Sequence, residues 1–250
     1  MAGARAEAIR IRAHQALEAE RCRRSCQWFL FDSGRVQTKD EHDLERPIKP
    51  FPDVPYLRAL LDCLLVTGRL LHPEDARWAR EAGLDLAWLL AARHAGLLFI
   101  EKSRDMLATW TVLCYCFWRA KYFPHQLILV QSKREEEAAS FVFVKEPGVG
   151  RISFVEDHLP RHLRTLAWPG AGSYGRLYFP NGSQIWAIPE GGDIVRSHHP
   201  SVVFADEAAF QPEFGASYTA ALPAIQGGGQ YIALSSANPG EFCDLVEGTA

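Results

Sequence analysis

Apolar positions along the chain fall into two alternating patterns. From Ala4 to Gln27 they recur at helical spacing, with Ile9, Ala13, Ala16 and Leu17 on one face and Arg and Glu on the other, which predicts an amphipathic surface helix packed on the core. From Asp32 to Pro55 the chain is polar and carries Pro47, Pro50, Pro52 and Pro55, so it is expected to lie extended. Helices are predicted over Tyr56 to Leu71 and from Pro73 to His94, the latter capped by Gly96. Leu97 to Ile100 then reads as a buried strand, a short polar segment follows, and a long apolar helix runs from Met106 to Tyr122. Gln126–Gln131 is a second β-rich run, and Ser132 to Val144 a helix capped by Ser132 with Glu135 and Glu136 near its start. Leu177 to Ile188 reads as a hairpin around Asn181-Gly182, and the runs before Asp206 and Ser235 are further buried strands. Alternating helices and buried strands predict an α/β domain with a mainly parallel sheet covered on both faces.

The chemistry sits where those strands end. At a strand–loop–helix junction the first backbone N–H groups of the helix lack partners and carry partial positive charge, which suits phosphate. Here the junction reads Glu101-Lys102-Ser103-Arg104-Asp105-Met106-Leu107-Ala108-Thr109-Trp110. A later strand ends in Asp206-Glu207, and another in Ser235-Ser236-Ala237-Asn238. Phosphate, acidic and Ser/Asn chemistry in that order form an NTPase pattern. The junction lacks the glycines and late lysine of an ordinary Walker A loop, for Leu107 and Ala108 occupy those positions.

Those residues resemble the ATPase domain of tailed-phage terminase large subunits, the motors that package DNA into procapsids. Lys102-Ser103-Arg104-Asp105-Met106 and Thr109-Trp110 match the family's phosphate loop, Asp206-Glu207 its Walker B end, and Ser235-Ser236-Ala237-Asn238 its coupling motif. Arg46 to Leu57 resembles the segment that precedes the loop, and the likeness covers roughly residues 40 to 245 with a helical insertion. It implies a three-layer phosphate-loop NTPase of the additional-strand ASCE type with an N-terminal helical extension, divided into an arm over 1–55 and an ATPase domain over 56–250. It also implies ATP held by residues 102–109, with Mg²⁺ on Thr109 and Asp206. Lys102 would stand in for the late lysine, Arg104 would face the γ-phosphate in cis, and Glu207 would activate water. Arg196 would reach a neighbouring subunit's ATP, while Ser235, Ser236 and Asn238 would sense the γ-phosphate. Each has a plainer reading: a solvated strand-end lysine, a loop-ordering or surface-paired arginine, an exposed acid pair, a turn of small residues. Phe51 and Tyr56 could stack on adenine or simply pack.

The implied partners are double-stranded DNA, a portal protein and the terminase small subunit, with a homo-oligomeric ring on the portal and a monomer in isolation, in the host cytoplasm at the procapsid vertex. The family's nuclease domain is expected to be missing from these 250 residues, and DNA cleavage with it. A net charge of −3 advertises no global field for nucleic acid, so any DNA contacts are expected to be few and local. Six cysteines without metal spacing read as reduced thiols, His198-His199 lacks ligand partners, and no apolar run approaches a bilayer span. Two alternatives stay open: another phosphate-loop translocase or superfamily 2 helicase-like motor, and a degenerate nucleotide-binding scaffold docked on a portal.

Overall fold

The computed structural model describes residues 2–40, 43–144, 150–166 and 170–248. Its centre is a seven-stranded sheet built from β3 (Leu97–Glu101), β4 (Leu127–Ser132), β5 (Gly172–Ser173), β6 (Arg176–Tyr178), β7 (Gln184–Pro189), β8 (Val202–Asp206) and β9 (Gln230–Ser235), in the order β3-β9-β8-β4-β7-β6-β5. The first five of that order run parallel and the last two are antiparallel, β6 pairing with β7 through the predicted hairpin. A separate ribbon pairs β1 (Gln37–Lys39) with β2 (Ile48–Pro50). Strand β9 lies between the strand that enters the 102–107 loop and the strand that ends in the acid pair. The chain is a three-layer α/β protein with a mainly parallel central sheet, in which β9 is the additional strand between β3 and β8.

Ten helices surround the sheets among the described residues: α1 (Ala2–Arg24), α2 (Pro55–Thr67), α3 (Arg77–Glu81), α4 (Leu86–Ala95), α5 (Ala108–Tyr122), α6 (Glu135–Val142), α7 (Arg151–His158), α8 (Asp193–Ser197), α9 (Phe214–Gln226) and α10 (Glu241–Glu247). The period-2 alternation of the strands sorts the core into two layers. Leu98, Ile232, Phe204 and Val130 form one row across four strands and pack with α2, α5, α6 and α7. Their neighbours Val203, Ala205, Tyr231 and Ala233 face α8, α9 and α10. Both faces are dry, which is why these strands read as continuous apolar runs.

Several element readings change. The helix expected over 73–94 is a 3₁₀ turn at Pro73–Asp75 followed by α3 and α4, because Gly83 turns at φ +93° and the Asp85 carboxylate caps α4 by accepting from the Trp88 N–H at 2.7 Å. The helix expected to Leu71 stops at Thr67, where Gly68 and a left-handed Arg69 turn the chain. Ser132 is no cap: it completes β4, and its hydroxyl donates to Glu137 Oε2. The apolar stripe of α1 faces water, Ile9 being 61% and Leu17 65% exposed. What seats α1 is its last turns, where Cys22 is buried and the buried Glu18 accepts from Arg35 at 2.7 Å and pairs with His162.

Beyond α1, Arg58 ties the arm to α2 by pairing with Asp32 and Asp53 while stacking near Phe31 and Trp78. Five cysteines are buried and free; burial pushes Cys22 up to about 11 and Cys63 and Cys116 up to about 12, so they behave as small hydrophobes. Among the described residues no helix is long and apolar enough to cross a membrane.

Candidate functional site

The three predicted strand ends meet at one edge of the sheet. Beyond β3, the Lys102 N–H still donates to Ser235 O at 2.9 Å, so the loop leaves the sheet tied to β9. It then folds back through two left-handed residues, Asp105 at φ 59° and Leu107 at φ 51°, before α5 begins at Ala108. Left-handed backbone costs a residue with a Cβ roughly 1–2 kcal/mol, and Leu107 stands where ordinary loops have glycine. The start of α5, expected at Met106, is delayed by this turn. Met106 O accepts from the Tyr56 hydroxyl at 3.3 Å, and Leu107 O accepts from the Thr111 N–H and hydroxyl.

The acid pair diverges as two adjacent strand-end residues should. Asp206 is 4% exposed and accepts from the Thr109 hydroxyl at 2.9 Å, while Gln211 Nε2 holds its carbonyl. Burial pushes the Asp206 carboxyl up to about 6; the Thr109 bond opposes this, Glu207 adds to it, and the charges of Lys102 and Arg151 oppose it. Glu207 takes φ 50°, which swings its carboxylate outward to accept from Lys102 Nζ at 3.2 Å. Five residues from three distant stretches of sequence thus gather at one edge of the sheet: Lys102, Thr109, Asp206, Glu207 and Ser235.

The Ser/Asn strand grips the turn after the acid pair. Ser235 Oγ accepts from the Ala209 N–H at 3.1 Å and Asn238 Nδ2 donates to Ala209 O at 2.8 Å. Ser236 is half-buried, and among the described residues its hydroxyl has no partner. Ser103 and Arg104 are exposed on the loop, Arg104 having no side-chain partner among the described residues. Arg196 lies outside this cluster on α8, more than half exposed and 3.5 Å from Asp193. His198 Nδ1–H donates to Ile194 O at 2.9 Å, and the ring packs edge-on to Trp186. Phe51 is buried edge-on against Phe31 and is closed to a base, whereas Tyr56 keeps an exposed ring beside the loop.

Among the described residues no group of three His, Cys, Asp or Glu could hold a metal by itself. A hydroxyl beside one buried carboxylate is what a phosphate-bound Mg²⁺ requires, since it keeps waters and phosphate oxygens for its other positions. Two open cavities, about 430 Å³ along Glu74, Arg77, Arg80 and Glu81 and about 400 Å³ beside His199 and Gly227 to Gly229, lie away from this edge. Sequence reasoning passed over Arg151, which follows Gly150 with no motif around it; its guanidinium lies 5.5 Å from the Trp110 ring centre and 4.9 Å from that of Phe141, and its charge favours the ionised form of Asp206.

No protein-family model and no curated protein matches the chain. Solved structures do. The large terminase ATPase domain of Thermus phage P74-26 is 14% identical over 59% of this chain and 62% of its own, with a TM-score of 0.43. A point mutant of that domain matches over 61% and 66% at 0.42. The large terminase of bacteriophage HK97, again 14% identical, matches 79% of this chain and 36% of its own at 0.49. The chain is similar to phage large terminase ATPase domains. The likeness concerns the fold, and the present chain spans 62%, 66% and 36% of those three proteins.

Proposed function

We propose that this protein hydrolyses Mg-ATP as the ATPase of a DNA-packaging motor of the terminase large-subunit kind, with residues 1–55 as an arm on a 56–250 ATPase body. The observation that carries this is the meeting, at one sheet edge, of a strand–loop–helix junction with an acid pair, Asp206 buried and Glu207 half-exposed, bonded to it twice, through Thr109–Asp206 and Lys102–Glu207. Residues 102–109 cradle the phosphates with the free N–H groups of α5, and Lys102 supplies the point charge that ordinary loops place later. Thr109 and Asp206 would hold Mg²⁺, which neutralises phosphate charge when bound. Glu207, poised at the mouth of the pocket, orients the attacking water and accepts its proton. Ser235 and Asn238 grip Ala209, three residues past Asp206, so a shift of the acid pair passes directly to β9; Ser236 lies beside them.

Tyr56 offers its exposed ring to the base. Arg104, unencumbered on the loop, serves the γ-phosphate in cis, and Arg196, exposed on α8, serves a neighbour in trans. The partners that follow are double-stranded DNA, a portal protein and a small subunit, with the chain assembling as a ring at the procapsid in the host cytoplasm.

One titration tests the reading. Phosphate release should require Mg²⁺, rise more than linearly with protein concentration or on adding portal and double-stranded DNA, and lose only that rise in Arg196→Ala. Absence of Mg-dependent turnover at every concentration rejects the ATPase. Nucleotide binding without turnover would instead favour the degenerate scaffold. A rise that survives in Arg196→Ala rejects the trans role alone.

A further inference from the structure

The sheet has a second polar end. Gln126, Ser201 and Gly229 stand one residue before β4, β8 and β9, three adjacent parallel strands, and border the open cavity of about 400 Å³. Strand β9 runs from this cavity to Ser235 beside the acid pair, and α5 runs back from Thr109 to Arg119 in the cavity wall. A helical rise of about 1.5 Å per residue puts roughly 15 Å between Thr109 and Arg119, so one phosphate cannot touch both.

Arg119 is buried, 8% exposed, yet its partners are all neutral. Its Nε donates to Gln126 Oε1 at 3.0 Å, and its Nη1 donates to the Tyr115 hydroxyl at 3.0 Å and to Gln230 Oε1 at 3.1 Å. Gln230 is fixed in turn, its Nε2 donating to Thr67 Oγ1 at 2.6 Å and to Leu64 O at 2.9 Å. This network aims the guanidinium and occupies its N–H groups except those on Nη2. Nη2 has no acceptor among the described residues and is not sealed from solvent, so it opens on the cavity. A buried cation ordinarily has an acid beside it, because desolvating an unpaired charge is costly. Here no Asp or Glu lines the cavity among the described residues.

The rest of the wall keeps the space open and adds positive charge. Gly228 turns at φ +106°, and a Cβ on Gly229 would come within 2.8 Å of Ala224 O and 3.0 Å of Pro200 O, so this turn needs glycine. Arg69 borders the same turn, its Nη1 lying 3.2 Å from where a Cβ on Gly228 would stand. Its side chain is exposed and reaches only His94 O, at 3.5 Å, among the described residues. His199 lines the cavity as well.

We propose that this cavity is a second anion site, separate from the nucleotide pocket, which takes a phosphate group on Arg119 Nη2 with Arg69 and His199 as further donors. Donors on three different segments suit a tetrahedral oxyanion, which offers several acceptor oxygens, better than a planar carboxylate. The site shares no residue with the 102–109 loop and does not depend on the ATPase reading.

The test titrates the full chain with inorganic phosphate by calorimetry, in wild type, Arg119→Gln, Arg69→Ala and Lys102→Ala, with the Tm of each. Arg119→Gln should weaken phosphate binding by roughly 10- to 100-fold, the range for lost charged hydrogen bonds, and Arg69→Ala by at least about threefold. Arg69 is exposed, so its variant should keep the wild-type Tm and guards against a loss that merely reflects misfolding. Lys102→Ala should leave this binding unmoved. Phosphate binding that vanishes in Lys102→Ala and persists in both arginine variants belongs to the nucleotide pocket and overturns the inference; so does the absence of any saturable binding. Duplex DNA in a second arm identifies the source of the phosphate. Duplex binding that phosphate competes away and that both arginine variants weaken makes it a nucleic-acid backbone, whereas duplex binding indifferent to both variants makes it a free phosphate.

Discussion

The pocket at the ends of β3, β8 and β9 and the long helix α1 use charged residues in opposite ways. At the pocket, Lys102 bonds Glu207 and Thr109 bonds Asp206, each part-buried and each across about a hundred residues of sequence. On α1, Arg10 pairs with Glu7 and Arg23 and Arg24 with Glu20, all within one helical turn and in water. The carboxyls respond accordingly. Arg23 and Arg24 hydrogen bonds pull Glu20 down to about 2, whereas burial pushes Asp206 up to about 6. Surface pairs of the first kind add little to stability because water and salt screen them. The second kind costs stability, because burial disfavours the charged carboxylate.

The comparison breaks most completely at Glu207. Glu207→Gln should lower turnover by roughly 10²–10⁴-fold, the range for losing a general base, while the affinity for ATP changes by less than about threefold. Phosphate release and equilibrium binding, measured on the same preparation, decide it. Turnover equal to wild type would show that the outward swing of Glu207 has no catalytic meaning. Charge reversal of Glu20 on α1 should leave both quantities unmoved.

How much of this could be read beforehand depends on the distance over which a residue's partner lies. The strands β3, β8 and β9 and their polar ends are legible because a buried apolar run followed by small or charged residues is a local pattern. The breaks at Gly83 and Asp85 were also written locally, as a glycine followed by a helix-capping acid, although the apolar content around them suggested one continuous helix. Ser132 looked like a cap because serine before glutamates usually is one; pairing of β4 with β7 as far as Pro189 drew it into the sheet instead. The place of Arg151 could not be read, since it depends on Trp110 and Phe141, contributed by two other helices. Nor could the solvent-facing stripe of α1, since periodicity gives a face but not whether anything covers it.

A smaller effect is expected at Asp206, and it has a sign. Burial pushes the folded carboxyl from the ordinary 3.8 up to about 6, so the folded state binds a proton more readily than the unfolded chain. Between those values stability falls as pH rises, and the cost is fully present above pH 6 and gone below pH 4. Asp206→Asn keeps the acceptor for Thr109 and removes the charge. It should therefore stabilise the protein by on the order of 2–3 kcal/mol at pH 7.5 and hardly at all at pH 4, while weakening Mg-dependent nucleotide binding. Denaturant melts at the two pH values check this; a gain independent of pH would mean that burial does not set the acid's behaviour.

Leu107 should yield less than about 1 kcal/mol. Its left-handed backbone is relieved by glycine, but glycine also frees the unfolded chain, so the two contributions partly cancel. Leu107→Gly should be neutral to slightly stabilising and should keep or improve ATP affinity. Leu107→Ala, which retains the Cβ and loses the side chain's packing, should destabilise. If both variants lose stability equally, the strain at φ 51° is not what distinguishes this loop.

The smallest effect belongs to α1, where the contrast with the pocket and core can be sharpened. Ile9 and Leu17 would form the inward stripe if helical periodicity alone decided, yet both are largely in water, while Leu64 on α2 is fully buried. Replacing an exposed side chain removes few contacts in the folded state and little apolar area that folding had covered. Ile9→Ser together with Leu17→Ser should change unfolding free energy by no more than about 0.5 kcal/mol. Leu64→Ala, which leaves a cavity in the layer shared with α5, should cost roughly 2–5 kcal/mol. Urea titrations on the three proteins measure both. A cost above about 1.5 kcal/mol for the α1 pair would mean that the stripe is covered in solution, and that the periodicity of residues 4–27 had named the buried face correctly.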